Sequence, residues 1–234
     1  MIRMIGFSLV IALVGCGGDN ASDGDYNKIE DSKNDLAGDV IINSIYQSED
    51  AVMLVDTEAS NNGVIIVDNS GYLYSFDNET KTTDSMLLTG VHVRSAYQYY
   101  YDLSQEVSIS FSDSSADVAT SINKQPFVHS FTRKAYSLRL DQLKGIYLNS
   151  DDEAQWMIDE VGNLVIDSVC YLSGKLKQAN YYYSLDVTAE QYDKPELNGE
   201  YSGVFFTVSS NGKAEIYSVL NNNEHQIFGS VTIN

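Results

Sequence analysis

From Val40 onward there is no sustained 3.6-residue periodicity, and runs in which apolar positions recur at every second residue appear instead. Half-buried β-strands give this pattern, because successive side chains point to opposite faces of a sheet. The longest alternation covers residues 91–103. Val91, Val93, Ser95, Tyr97, Tyr99, Tyr101 and Leu103 fall on one face, and His92, Arg94, Ala96, Gln98, Tyr100 and Asp102 on the other. Val107, Ile109 and Phe111 then alternate with serines. Tyr181, Tyr183, Leu185 and Val187 alternate with Tyr182, Ser184, Asp186 and Thr188, and Ile227, Gly229, Val231 and Ile233 with Phe228, Ser230 and Thr232. One apolar and one polar face per strand is the signature of antiparallel sheets. The pattern predicts an all-β chain built as an antiparallel meander.

Turn signals separate the runs. Asn62-Gly63 and Asn211-Gly212 suit tight hairpins, whose central residues need positive φ. Ser70-Gly71 and Val161-Gly162 punctuate in the same way. Pro126 and Pro195 sit in polar stretches between strands. One helix is expected near 114–124, against the preference of Ser114, Ser115, Thr120 and Ser121.

An internal echo divides the meander. Residues 66–73 (IVDNSGYL) resemble residues 157–164 (MIDEVGNL), and each is followed by a glycine and a tyrosine-rich run: Gly90 before Tyr99–Tyr101, Gly174 before Tyr181–Tyr183. Gly145-Ile146-Tyr147 also matches Gly199-Glu200-Tyr201. These echoes predict two related halves, 40–140 and 141–234, forming either two small lobes or one up-and-down, lipocalin-like barrel.

The first 20 residues read MIRMIGFSLVIALVGCGGDN. A single charge, Arg3, precedes an apolar run from Met4 to Val14, about half of the ~20 residues a spanning helix needs. The run therefore reads as a signal-peptide core. Leu13-Val14-Gly15-Cys16 resembles the lipobox of bacterial lipoproteins. That resemblance implies removal of residues 1–15, acylation of Cys16 and, with Gly17 and Gly18 following, sorting to the outer membrane. Acyl chains, at about 0.8 kcal/mol per buried CH₂, would tie the protein to the membrane without a spanning helix. Residues 16–39 follow as an acidic tether, with seven acids from Asp19 to Asp39, two lysines and few large apolar residues.

Composition narrows the partners. The chain has 14 Lys and Arg against 33 Asp and Glu, a formal charge of -19. Such a field repels phosphate, so nucleic acid is not expected as a partner. The two cysteines are Cys16 and Cys170, too few for a disulfide framework. Cys170 lies in an apolar setting that predicts a buried, unreactive thiol.

Enzyme motifs are missing. There is no G-x-S-x-G elbow, no H-E-x-x-H and no glycine-rich phosphate loop. His92, His129 and His225 stand apart in sequence and would have to converge in space to hold a metal. The acidic turns at Asp68-Asn69-Ser70-Gly71 and Asp151-Asp152-Glu153 offer oxygen ligands for calcium but do not continue into a full calcium loop. No catalytic residue, cofactor or metal is expected.

The compositional oddity is 17 tyrosines beside one tryptophan and eight phenylalanines. Alternation places Tyr97, Tyr99, Tyr101, Tyr181 and Tyr183 on core faces. Tyr100 and Tyr182 fall on opposite faces and are the candidates for ligand contact. The leading expectation is a non-catalytic outer-membrane lipoprotein. Cys16 would anchor it, and its β domain would bind a protein, glycan or small ligand of the envelope. The alternatives are an envelope hydrolase with a non-motif site, and an immunity-type lipoprotein using its acidic surface against a toxin.

The lipobox generates a direct prediction. Cys16→Ser abolishes lipid labelling, and the protein is then found as uncleaved precursor or in the soluble fraction. A Cys16→Ser protein with unchanged mass and unchanged membrane retention would overturn the anchor.

Overall fold

The computed structural model describes residues 40–58, 63–134, 136–149, 153–210, 212–222 and 224–233. The lipobox, Cys16, the tether, Asn62, Asp151, Asp152 and Asn211 lie outside the described residues.

The chain is all-β and antiparallel, and its two halves form separate eight-stranded sheets. The first is β1 (Ser44–Gln47), β2 (Ala51–Val55), β3 (Val64–Asp68), β4 (Leu73–Lys81), β5 (Ser85–Arg94), β6 (Tyr99–Phe111), β7 (Ser115–Ile122) and β8 (Gln125–Lys134). Each strand pairs with the next, and β1 pairs with β8 through Ile45–Lys134, Tyr46–Arg133 and Gln47–Thr132, closing a barrel. Closure removes the exposed strand edges that would otherwise template aggregation. The second sheet is β9 (Gly145–Leu148), β10 (Gln155–Ile158), β11 (Asn163–Asp167), β12 (Tyr171–Gln178), β13 (Tyr183–Glu190), β14 (Gly199–Ser210), β15 (Lys213–Asn221) and β16 (Gln226–Ile233). It rolls until its ends approach, and the Asn149 side-chain amide donates to the Ser230 carbonyl at 3.2 Å. One helical turn, α1 (Leu140–Leu143), precedes β9, and a 3-10 turn at Pro195–Leu197 precedes β14.

Several features differ from the sequence expectation. Pro126, expected in a polar stretch between strands, is the second residue of β8. The stretch expected to be helical near 114–124 is strand β7, because Ala116, Val118 and Ile122 alternate into the barrel core. Residues 91–103 are not one strand. They fold back at Ser95–Gln98, where the Ser95 hydroxyl accepts from the Tyr97 and Gln98 amides. The face assignment of β6 is also reversed. Tyr97, Tyr99 and Tyr101 are 96%, 58% and 44% exposed, whereas Tyr100 packs against the core. The cause is a bulge. Thr89 pairs with Glu106 and Val91 with Asp102, so three residues, 103–105, stand opposite Gly90. Across this irregularity both strands change parity: Leu88 and Val93 face inward on β5, and Val107 and Tyr100 on β6, so the tyrosines stand in the opposite phase to Val107, Ile109 and Phe111. Gly90 permits it with φ of 70°, and a Cβ there would collide with the Asp77 side chain.

The echo between halves is real in chemistry but one strand out of step. In the β3–β4 turn, Asp68 Oδ1 accepts from the Ser70 and Tyr72 amides, both at 2.9 Å, and Gly71 has φ of 79°. In the β10–β11 turn, Asp159 Oδ1 accepts from Val161 at 2.9 Å and Asn163 at 2.8 Å, and Gly162 has φ of 84°. Strand order instead equates β1 with β9, and these share a different device. Tyr46 donates to the Ile42 carbonyl at 2.8 Å and Tyr147 to the Leu143 carbonyl at 2.7 Å, each four residues upstream. Tyr201 repeats it onto Leu197 at 2.9 Å. Each hydroxyl ties the incoming chain to the start of a strand, as in tyrosine corners.

The two sheets share a core. In β1–β3, Tyr46, Met53, Val55, Val64 and Ile66 face the barrel interior. Ile45, Val52, Leu54, Ile65 and Val67 face outward, onto Phe206, Val208, Tyr217 and Val219 of β14 and β15. Tyr181 and Tyr182 complete this layer. The Tyr181 hydroxyl donates to the Val55 carbonyl, and the Tyr182 hydroxyl donates to Asp56 Oδ2 at 2.5 Å. Tyr182 is 7% exposed, which corrects its expected outward position. Tyr183, on the next face, packs inside the second sheet as expected.

Burial holds both tyrosines neutral: it pushes their pKa values well above the ordinary 10, with nearby Asp56 adding to the effect. Tyr182→Phe removes the bond to Asp56 and leaves that buried carboxylate short of a donor. The expected loss is about 1.5–3 kcal/mol, the range for hydrogen bonds to charged groups. Tyr99→Ala, on the exposed face, should stay within about 0.5 kcal/mol. Denaturant melts that reverse this order would refute the inward and outward assignments.

Candidate functional site

A concave surface lies at the barrel mouth, at the end where β3–β4, β5–β6 and β7–β8 turn. Its cavity measures about 590 Å³, within the usual range for small-ligand sites. Tyr72, Tyr74, Tyr97, Tyr99, Tyr100 and Phe127 supply rings, and Gln98, Asn123 and Gln125 supply amides. Among the described residues, no Asp, Glu, Lys, Arg or His lines the mouth.

Local chemistry fixes several of these groups. The Tyr74 hydroxyl donates to Asp68 Oδ2 at 3.0 Å, and its ring lies 4.6 Å from that of Phe127. Burial, reinforced by Asp68, raises the Tyr74 pKa, so the phenol stays protonated. Tyr72 donates to Gln98 Oε1 at 3.1 Å, and Tyr100 to Asp102 Oδ2 at 3.1 Å. Asn123 and Lys124, in the β7–β8 turn, both adopt positive φ, at 49° and 64°. Such a left-handed pair makes the tight turn that sets the Asn123 amide on the rim.

Tyr99 is held from outside the barrel. His92 Nδ1 pairs with its hydroxyl at 2.9 Å, and His92 Nε2 pairs with Asp77 Oδ1 at 2.8 Å. Tyr101 donates to Asp77 Oδ2 at 2.9 Å and stacks on His92 with centroids 4.4 Å apart. Arg94 lies over the Tyr99 ring at 4.7 Å, a cation–π arrangement. Partial burial works to raise the Asp77 carboxyl, but the hydrogen bonds from His92 and Tyr101 outweigh it and hold Asp77 below its ordinary range. Both ring nitrogens of His92 have these partners, and the ring thereby positions Tyr99.

The three histidines do not converge. His92 points out of the barrel wall, His129 lies between Phe127 and Phe131 on the inner face, and His225 sits in the β15–β16 turn near Glu224. Among the described residues, no three His, Cys, Asp or Glu side chains group as metal ligands. Asp68 spends its carboxylate on the Ser70, Tyr72 and Tyr74 donors, which explains its turn without calcium. Among the described residues, no helix is long and apolar enough to cross a membrane.

Of the two candidate contact residues, Tyr100 lines the mouth and Tyr182 lies in the layer between the sheets. Sequence reasoning missed Tyr72, Tyr74, Asn123 and Phe127. The signal for Tyr72 and Tyr74 was their two-residue spacing directly after the Asp68 turn. Compared with protein-family models, curated proteins and solved structures, the chain matches none.

The setting of His129 leads to an expected pH dependence of barrel stability. Burial lowers its pKa below the ordinary 6.5, with Asp50 and Asp68 partly opposing. The unfolded chain therefore takes up this proton before the folded chain does. The contribution is fully present above the unfolded value and is lost as pH falls through the folded one. Between pH ~7.5 and ~5.5 the protein should lose more stability than its His129→Phe variant. Equal losses in the two melts would remove His129 from the account.

Proposed function

We propose that this protein is a non-catalytic, lipid-anchored envelope protein whose barrel mouth binds a neutral glycan segment. The observation that carries the reading is the mouth itself, where six aromatic rings and three side-chain amides surround about 590 Å³. A sugar ring presents an apolar C–H face that lies against aromatic rings and hydroxyls that pair with amides. Rings with polar handles suit surfaces that are part apolar and part wet. The absence of charged lining residues and a net charge of -19 argue against an anionic ligand. The lipobox at Leu13–Cys16 supports placement at the outer membrane, where such ligands are abundant.

The test is a calorimetric titration of the soluble form lacking residues 1–16 with a panel of neutral oligosaccharides. Saturable binding to at least one is expected. Tyr97 is almost fully exposed, so Tyr97→Ala should leave stability unchanged while weakening affinity about tenfold or more, as truncation of an aromatic anchor does. Binding that survives Tyr97→Ala and Tyr100→Ala undiminished would exclude the mouth as the site.

A further inference from the structure

The second sheet carries a pocket of its own, about 170 Å³ and open to solvent on one side, near the connections at 168–170 and 191–198. Trp156, Ile166, Leu172, Leu220 and Phe228 give it apolar walls, and among the described residues no Asp, Glu, Lys, Arg or His lines it. Burial raises the pKa of the Cys170 thiol at its edge, with Tyr192 opposing and Asp167 adding, so the thiol stays neutral.

Ser168, Tyr192 and Ser218 bring hydroxyls to this lining, and Ser218 is the most buried of the three. Ser218 is 2% exposed and shares the inward face of β15 with Ile216 and Leu220. Its hydroxyl has no hydrogen-bond partner among the described residues. A buried hydroxyl without a partner is costly, and one that lines a cavity can be satisfied by what enters it. Across the sheet, Ser218 pairs with Gly229. A Cβ on Gly229 would stand 3.3 Å from Trp156 Cζ2, so the missing side chain leaves room beside the indole.

We propose that this cavity is a second ligand site, independent of the barrel mouth. It takes a small neutral molecule of one ring, or of comparable bulk, that carries one hydroxyl or carbonyl for Ser218. The size fits: an apolar cavity of about 150 Å³ accommodates benzene. The walls exclude charge, because no opposite charge is present to offset its desolvation.

Trp156 is the only tryptophan in the chain, so its indole N–H gives one unambiguous NMR resonance from inside the site. The experiment titrates the folded protein lacking residues 1–16 with benzyl alcohol and, separately, with toluene. A saturable shift of that resonance is expected with both. Ser218→Ala should weaken benzyl alcohol about three- to tenfold and leave toluene unchanged, since one hydrogen bond is removed. Gly229→Ala should weaken both by narrowing the space at Trp156. A wild-type shift that rises linearly without saturation would overturn the site whatever the variants do. So would saturable binding with the same selectivity in wild type and Ser218→Ala.

Discussion

The structure depends on the burial of β1–β3 on both faces. An ordinary barrel wall has one wet face. Here the outward residues Ile45, Val52, Leu54, Ile65 and Val67 are as dry as the inward ones, because β14 and β15 lie against them. Each such side chain contributes about 1.5–3 kcal/mol on burial. A layer this apolar would be an aggregation-prone patch if either sheet stood alone. The polar ends of the layer are sealed by two phenols, Tyr181 on the Val55 carbonyl and Tyr182 on Asp56. Those bonds satisfy a β2 carbonyl and a buried carboxylate at the point where the wall ends. The two sheets therefore form one folding problem, although their hydrogen-bond ladders never join.

That constraint explains which parts of the fold were legible. The alternation in β6, β13 and β16 is visible because those strands have a polar face. The runs Ala51–Val55 and Val64–Val67 do not alternate, and a continuous apolar run is the mark of a strand buried on both sides. Their composition therefore carried the information that two sheets pack together. The fold class and the division into halves followed from patterning and turn chemistry. The register of β6 did not. A bulge of three residues opposite Gly90 leaves no mark on periodicity except a glycine, and it reverses the faces of the β6 tyrosines while Val91 and Val93 stay inward as expected.

The candidate site was legible in kind and not in membership. An excess of tyrosine pointed to a ring-lined surface, and Tyr100 does line the mouth. Tyr182 was misplaced because two adjacent tyrosines, 181 and 182, precede β13 instead of lying in it, and so escape the period of two. The echo between 66–73 and 157–164 misled in a similar way. Asp at the head of a turn and Gly three residues later solve the same local problem wherever they occur, since the carboxylate caps the turn amides and glycine takes the left-handed position. Similar turns then arise at non-equivalent strands, and the Tyr46 and Tyr147 corners are the better guide to correspondence between the halves.

The same burial determines where a ligand can be met. Every mouth residue falls between Tyr72 and Phe127, on β4–β8 and their turns, and none comes from β1–β3. The half of the wall committed to the second sheet is covered on both faces and has no surface to spare. The other half has a polar outer face, and its strands accommodate the Gly90 bulge and the left-handed turn at Asn123. Because the bulge flips the parity of β6, it sends Tyr100 inward and turns Tyr99 and Tyr101 out. There His92 and Asp77 can hold them. A sheet without the bulge would place those three rings the other way round, and no histidine on β5 could then hold Tyr99 from outside the wall. The packing of one half of the barrel thus fixes the scaffold, and the bulge at Gly90 in the other half shapes the mouth.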